Sequence, residues 1–176
     1  MRVYKSLFGV SAVLALIGSA SVAQNVSTNR VAAETDWNVF VEDNPKECWS
    51  VSDPTETVNT RDGRVVAANR GDILLMVFYR PDAGANAQVA FTGGYPFREG
   101  STVSIGIGDT EYSLSTDGDW AWPASPADDS TLVAAMKRGA QAIVTGVSSR
   151  GTTTKDTFSL LGFTAATEEA KNRCAG

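Results

Sequence analysis

The sequence predicts an all-β fold with minor α content: an antiparallel β-sandwich or barrel-like single domain with one internal helix and one C-terminal helix. Three observations predict it. Short extended runs dominate the hydrophobic pattern, glycine-containing hairpin dipeptides separate them, and helical signals are confined to two places late in the chain.

Extended runs fall at residues 37–42, 47–52, 64–68, 73–80, 87–92, 102–107, 110–115, 141–148 and 153–160. The run 73–80 is almost wholly apolar, which fits a central strand buried on both faces. Between the runs lie Asp62-Gly63, Gly93-Gly94, Gly108-Asp109, Asp117-Gly118 and Arg150-Gly151, where glycine supplies the positive φ of tight hairpin turns. The internal helix is announced by Ser125 as N-cap, Pro126 at the first helical position and an acid in the first turn, and Lys137-Arg138-Gly139 marks its stop. A second helix is expected from about Thr164 to Arg173, after a break at Gly162.

The first 23 residues have the makeup of a removable export signal. Arg2 and Lys5 form a basic start, Leu7 to Ile17 an apolar stretch too short for a stable anchor, and Ser21-Val22-Ala23 a small-x-small cleavage site. The expected organisation is therefore a signal peptide at 1–23, a loose small and polar tail at 24–35, and one β-rich domain at 36–176, with no membrane span once the signal is removed. In an oxidising compartment Cys48 and Cys174 are expected to form one structural disulfide, since no C-x-x-C motif suggests redox activity. Trp49, beside Cys48, is expected to cover that bridge.

The chain has 20 acidic against 15 basic residues, a net charge of −5, and loss of Arg2 and Lys5 deepens it. Such a surface argues against nucleic acid and anionic lipid head groups as partners. There is no histidine, which removes serine–histidine and cysteine–histidine nucleophile systems, histidine-ligated zinc and the commonest general base near neutral pH. A serine–lysine dyad or a glycosidase carboxylate pair stays open in principle, but no spacing singles one out. No Gly-rich phosphate loop stands between a strand and a helix, and no cofactor or metal site is expected.

The candidate binding residues are aromatic. Trp120 and Trp122 alternate on a short extended segment and would face one side, offering a platform for sugar rings or an apolar ligand, with Tyr95 as a further exposed aromatic. The competing structural reading packs both indoles against the internal helix. Asp117 and Asp119 could offer oxygens to calcium, but a hairpin turn accounts for them more simply. Arg70-Gly71-Asp72 spells an integrin-type tripeptide, although a glycine turn is expected before the apolar strand anyway. Arg61, Arg64, Arg70 and Arg80 form the notable basic group, with surface pairing to neighbouring acids expected and an anion site as the alternative.

The start at Trp37, Cys48, the Gly94-Tyr95-Pro96-Phe97 segment, the run from Phe158 to Ala166 and the terminal Cys174 together resemble the invasion-associated locus B family of exported bacterial proteins. The resemblance covers nearly all of the chain after the signal. It implies a periplasmic or envelope-associated β-sandwich-like domain, a role of some members in host-cell entry, and no enzymatic activity. Many members carry a further cysteine pair mid-domain, whereas Ser113 to Pro126 here has none, so tryptophan packing is expected in its place. The expected function is an exported, non-enzymatic envelope protein acting by binding or envelope support on an envelope or host protein or glycan. Alternatives are a hydrolase acting on envelope polymer and a stress-related structural protein with no dedicated ligand. The expected location is the periplasm, with secretion or surface display as the alternative.

Overall fold

The computed structural model describes residues 27–175. The export signal expected over 1–23 lies outside them, as does the start of the tail. The described chain runs β1 (Arg30–Glu34), β2 (Trp37–Asp43), β3 (Lys46–Ser52), β4 (Glu56–Arg61), β5 (Arg64–Val65), β6 (Leu74–Arg80), β7 (Ala85–Thr92), β8 (Thr102–Ile107), β9 (Thr110–Asp117), β10 (Trp120–Trp122), α1 (Pro126–Met136), β11 (Gln141–Val147), β12 (Thr153–Ser159) and α2 (Phe163–Cys174). All twelve strands join one antiparallel sheet in the order β1-β2-β3-β6-β7-β10-β9-β8-β11-β12-β4-β5. This is the all-β architecture with two helices that the turn spacing predicts.

The sheet curls on itself. Trp37 Nε1 donates to Ser159 O at 3.0 Å and Asp36 N to Leu161 O, so chain next to β12 meets chain next to β2, although the two strands stand far apart in the sheet order. The enclosed face carries one core, built from Val39, Leu75, Val77, Phe91, Val103, Ile105, Leu114, Val144 and Phe158 on the strands. Leu132 and Met136 of α1 and Phe163, Ala166 and Ala170 of α2 complete it. Removing this much apolar surface from water, at about 25 cal/mol per Å², is the main force holding the curl closed. β6 is the central strand expected, with Leu75 to Tyr79 all buried.

The helix signals act as read. Ser125 Oγ accepts from Asp128 N and Pro126 takes the first helical position, while α1 ends at Met136, where Lys137 follows. Gly162 enters α2 at φ +88°, and a Cβ there would meet the Glu34 carbonyl, so α2 can begin against β1 only because this residue is glycine.

The structure departs from the expected elements in several places. Residues 30–34, read as loose tail, form β1, because the Thr35-Asp36 turn folds them onto the free edge of β2 and Val31 and Ala32 pack on the core. β4 was not legible, since Glu56-Thr-Val-Asn-Thr-Arg61 has no apolar alternation and its strand form comes from ladder bonds to β12. The run 64–68 shrinks to the two residues of β5, and the chain from 66 to 73 leaves the sheet. Gly63, Gly108, Gly118 and Gly151 sit in hairpin turns at positive φ as expected; Gly94 also has positive φ, at +70°, but in a bend that joins no hairpin. Its backbone packs against Gly71, which donates to Gly94 O at 2.9 Å.

Candidate functional site

The outward face of the sheet carries a second apolar cluster. Side chains alternate along a strand, so each inward core residue is flanked by outward ones. The register puts Phe40 opposite Trp49, Trp49 opposite Phe78, and Phe78 opposite Gln88, one row across β2, β3, β6 and β7. The next row holds Val51, Met76 and Ala90, and a third places Leu74 beside Thr92 and Thr92 beside Trp120. Phe40 and Trp49 stack with centroids 5.6 Å apart, and Trp49 lies 6.0 Å from Phe78. Trp49 therefore does not cover the disulfide. Cys48 points inward, and its neighbour in the strand must point outward.

Trp120 and Trp122 face the same side, as their alternation predicts, with Ala121 between them fully buried in the core. Both indoles are half-buried on this outer face. They do not pack under α1; Ala121 occupies the inward position. With Phe78, Arg80, Gln88 and Ala90 they line a cavity of about 280 Å³ open to solvent. Arg80 forms its rim. Its guanidinium lies 4.2 Å from the Phe78 ring centroid, its Nε is 3.0 Å from Glu47 Oε1, and Nη1 reaches Gln88 Oε1 at 3.5 Å. The result is a pair of aromatic walls with polar groups fixed at one end.

Tyr95 is elsewhere. It is half-buried, its hydroxyl pairs with Thr154 Oγ1 at 2.5 Å, and its ring meets Phe97 edge-on and the Arg70 guanidinium at 5.1 Å. The structure thus brings together Trp120 and Trp122 but separates them from Tyr95, which lines a different cavity.

Arg70 overturns the expectation of surface pairing. Nη1 and Nη2 bond Asp156 Oδ1 and Oδ2 at 2.7 and 2.6 Å, and Nε donates to Gly93 O at 2.8 Å. The Arg70 side chain is 6% exposed and that of Asp156 0%. Arg70 therefore cannot be offered to an integrin, and the Arg70-Gly71-Asp72 tripeptide is a buried anchor followed by a close glycine contact. Asp117 and Asp119 are exposed around the Gly118 turn, and among the described residues no group of three or more histidine, cysteine or acidic side chains is placed to hold a metal.

Cys48 and Cys174 form the disulfide, with Cα atoms 5.7 Å apart, joining the inner side of β3 to the end of α2. The buried carboxylates are committed to the protein. Asp156 holds Arg70, and Asp129 Oδ1 accepts from Val89 N at 2.8 Å. Burial pushes the Asp129 carboxyl above its ordinary range, the Val89 N–H opposes this, and Asp128 adds to it. Burial, with Glu168 nearby, likewise pushes the Tyr79 phenol up to about 12, which leaves it protonated at neutral pH.

Asp129 yields a signed prediction. A carboxyl whose folded pKa lies above its unfolded value of 3.8 contributes no penalty below that value, and stability is lost as pH rises through the raised folded pKa. Asparagine at 129 keeps an oxygen for Val89 N without this titration. The stability of Asp129→Asn relative to the native chain is thus expected to increase with pH across that window. Urea midpoints taken from acid to neutral pH check it, and a difference that stayed flat or fell would refute the assignment.

The family model for "Invasion associated locus B (IalB) protein" matches residues 37–171. The chain belongs to the IalB family. The IalB match begins at Trp37, which anchors β2, and reaches Lys171 in α2, so it spans β2 to β12, α1 and most of α2. A solved structure, the crystal structure of invasion associated protein B from Bartonella henselae, superposes with a TM-score of 0.54 at 14% identity, covering 80% of this chain and 95% of that one. The IalB fold is shared at that distance. No curated protein sequence matches the chain.

Proposed function

We propose that this IalB protein is an exported, non-enzymatic binding protein of the bacterial envelope, resident in the periplasm, whose outer aromatic face receives a saccharide of the envelope or host. The observation that carries this reading is the apolar cluster on the solvent side of the sheet, walled by Trp120 and Trp122 and rimmed by Arg80 and Gln88. Sugar rings present apolar C–H faces and a hydroxyl edge, and two indole walls with a guanidinium and an amide at one end match both. Commitment of Asp129 and Asp156 to protein partners supports a non-catalytic role. The signal-like makeup of residues 1–23 supports the location. A larger hollow of about 600 Å³ beside the end of α1 holds one aromatic, Tyr112, with Arg138 and Gln141, and lacks a pair of indole walls.

Indole emission tests the reading. Soluble peptidoglycan fragments titrated into the native protein should give a saturable change. Loss of one stacking indole is worth on the order of 1 kcal/mol, roughly fivefold in affinity, in Trp120→Ala or Trp122→Ala. Absence of any saturable change across peptidoglycan and host glycan fragments would transfer the cluster to a purely structural role in envelope support.

A further inference from the structure

On the cavity that holds Tyr95, away from the tryptophans, we infer that the chain carries a phosphate-binding site formed by Arg61 and Arg150. The site rests on placement of charge. Arg61 ends β4 and Arg150 sits in the turn between β11 and β12, two elements brought together because β4 pairs with β12. They line a cavity of about 240 Å³ with Arg70, Tyr95 and the hydroxyl residues Ser148, Thr152 and Thr154, and no acidic residue is among its lining. Arg70 is already neutralised by Asp156 beneath it. Arg61 and Arg150 have no acidic partner within ion-pair distance among the described residues, so two uncompensated charges face one small space in a chain of net charge −5.

The walls are set in advance. Arg61 Nη2 donates to Thr152 Oγ1 at 2.6 Å, and the Thr152 backbone N–H is in turn held by Ser148 Oγ at 3.1 Å. Thr152 and Ser148 are both buried, so Arg61 is held at one end by a fixed hydroxyl and keeps its other N–H donors for a ligand. Arg98 extends the positive field, with Nη2 3.4 Å from where a side chain on Gly151 would begin. Guanidinium forks entering from two walls over hydroxyl groups suit a tetrahedral oxyanion, whose oxygens accept from several directions at once. The shared chemistry is a phosphate group, carried either by a soluble molecule or by a lipid head group.

Calorimetric titration with inorganic phosphate, at ionic strength held constant with sodium chloride, tests the site. Co-flotation with phosphatidylcholine vesicles, with and without phosphatidic acid, separates the two sources. The native protein is expected to bind phosphate. Arg150→Glu, in an exposed turn where the fold is not at risk, and Arg61→Ala should each weaken binding at least about tenfold, as loss of a charge-assisted hydrogen bond requires. Lys171→Glu, an equal charge change on α2, should leave it unaltered. Vesicle binding that phosphate competes away would identify a head group as the source, and phosphate binding without flotation a soluble one; either sustains the site. No binding of phosphate or vesicles, or equal weakening by Lys171→Glu and Arg150→Glu, would overturn it.

Discussion

Replacement of Asp156 by alanine is expected to cost about 3–5 kcal/mol, because it leaves the Arg70 guanidinium buried without its counter-charge. Asp156 is fully buried and bound through both oxygens, and Arg70 is almost as deep, so water cannot enter to repair the loss without opening the sheet. The pair also ties the irregular chain before β6 to β12, and Arg70 Nε and Gly71 N fasten the same segment to Gly93 and Gly94. Removing both charges should be much milder. An Arg70→Met/Asp156→Leu double variant exchanges a desolvated ion pair for apolar contact, a trade that is often near neutral. Urea unfolding of the native chain and the two variants compares the cost of stranding Arg70 with the cost of removing both charges. A double variant no more stable than Asp156→Ala would mean that hydrogen bonds to Asn59 and Gly93, rather than the ion pair, hold the segment.

Loss of the disulfide, by Cys48→Ser with Cys174→Ser, is expected to destabilise the protein by about 2–5 kcal/mol. The two cysteines are separated by 126 residues, and closing so long a loop in the unfolded chain removes close to the largest entropy a single bridge can, on the order of 5 kcal/mol in the chain-entropy model. The bridge lies where α2 packs on β2 and β3, so its removal should loosen α2 before the sheet. Hydrogen exchange should then show faster exchange in α2 with the β6 and β7 amides still protected. A reduced protein with an unchanged urea midpoint would show that helix packing alone secures the chain end.

Much of the fold was legible because its signals are local. β2, β3, β6, β8 and β12 lie within a residue of the expected runs, helped in β2, β6 and β8 by alternation or a continuous apolar run, and Ser125-Pro126 and Gly162 place the helices. β4 and β1 were not legible for the same reason in reverse. Glu56 to Arg61 is polar apart from Val58 and Arg30 to Glu34 small and mixed, and both become strands only because a partner edge is waiting for their backbone groups. Trp49 shows the limit at a single residue: its position beside a cysteine suggested contact with the bridge, but the strand's two-residue period sends it to the other face. The candidate site was legible in half. The alternation at Trp120 and Trp122 gave their common side, while no sequence pattern pointed to Phe40, Trp49 and Phe78 beside them, because those residues come from three strands.

The amino-acid sequence by itself determined the fold class, most of the hairpin turns, both helices, the cysteine pairing and the absence of histidine chemistry, each of which depends on residue identity over a few neighbours or on composition. Tertiary structure alone decided that Arg70 is buried on Asp156, that the tryptophans face solvent rather than α1, and that Arg61 and Arg150 share a cavity. These depend on which strands the curled sheet sets side by side, and pairing between distant strands is fixed by the burial of one common core, a property of the whole chain that no local pattern encodes.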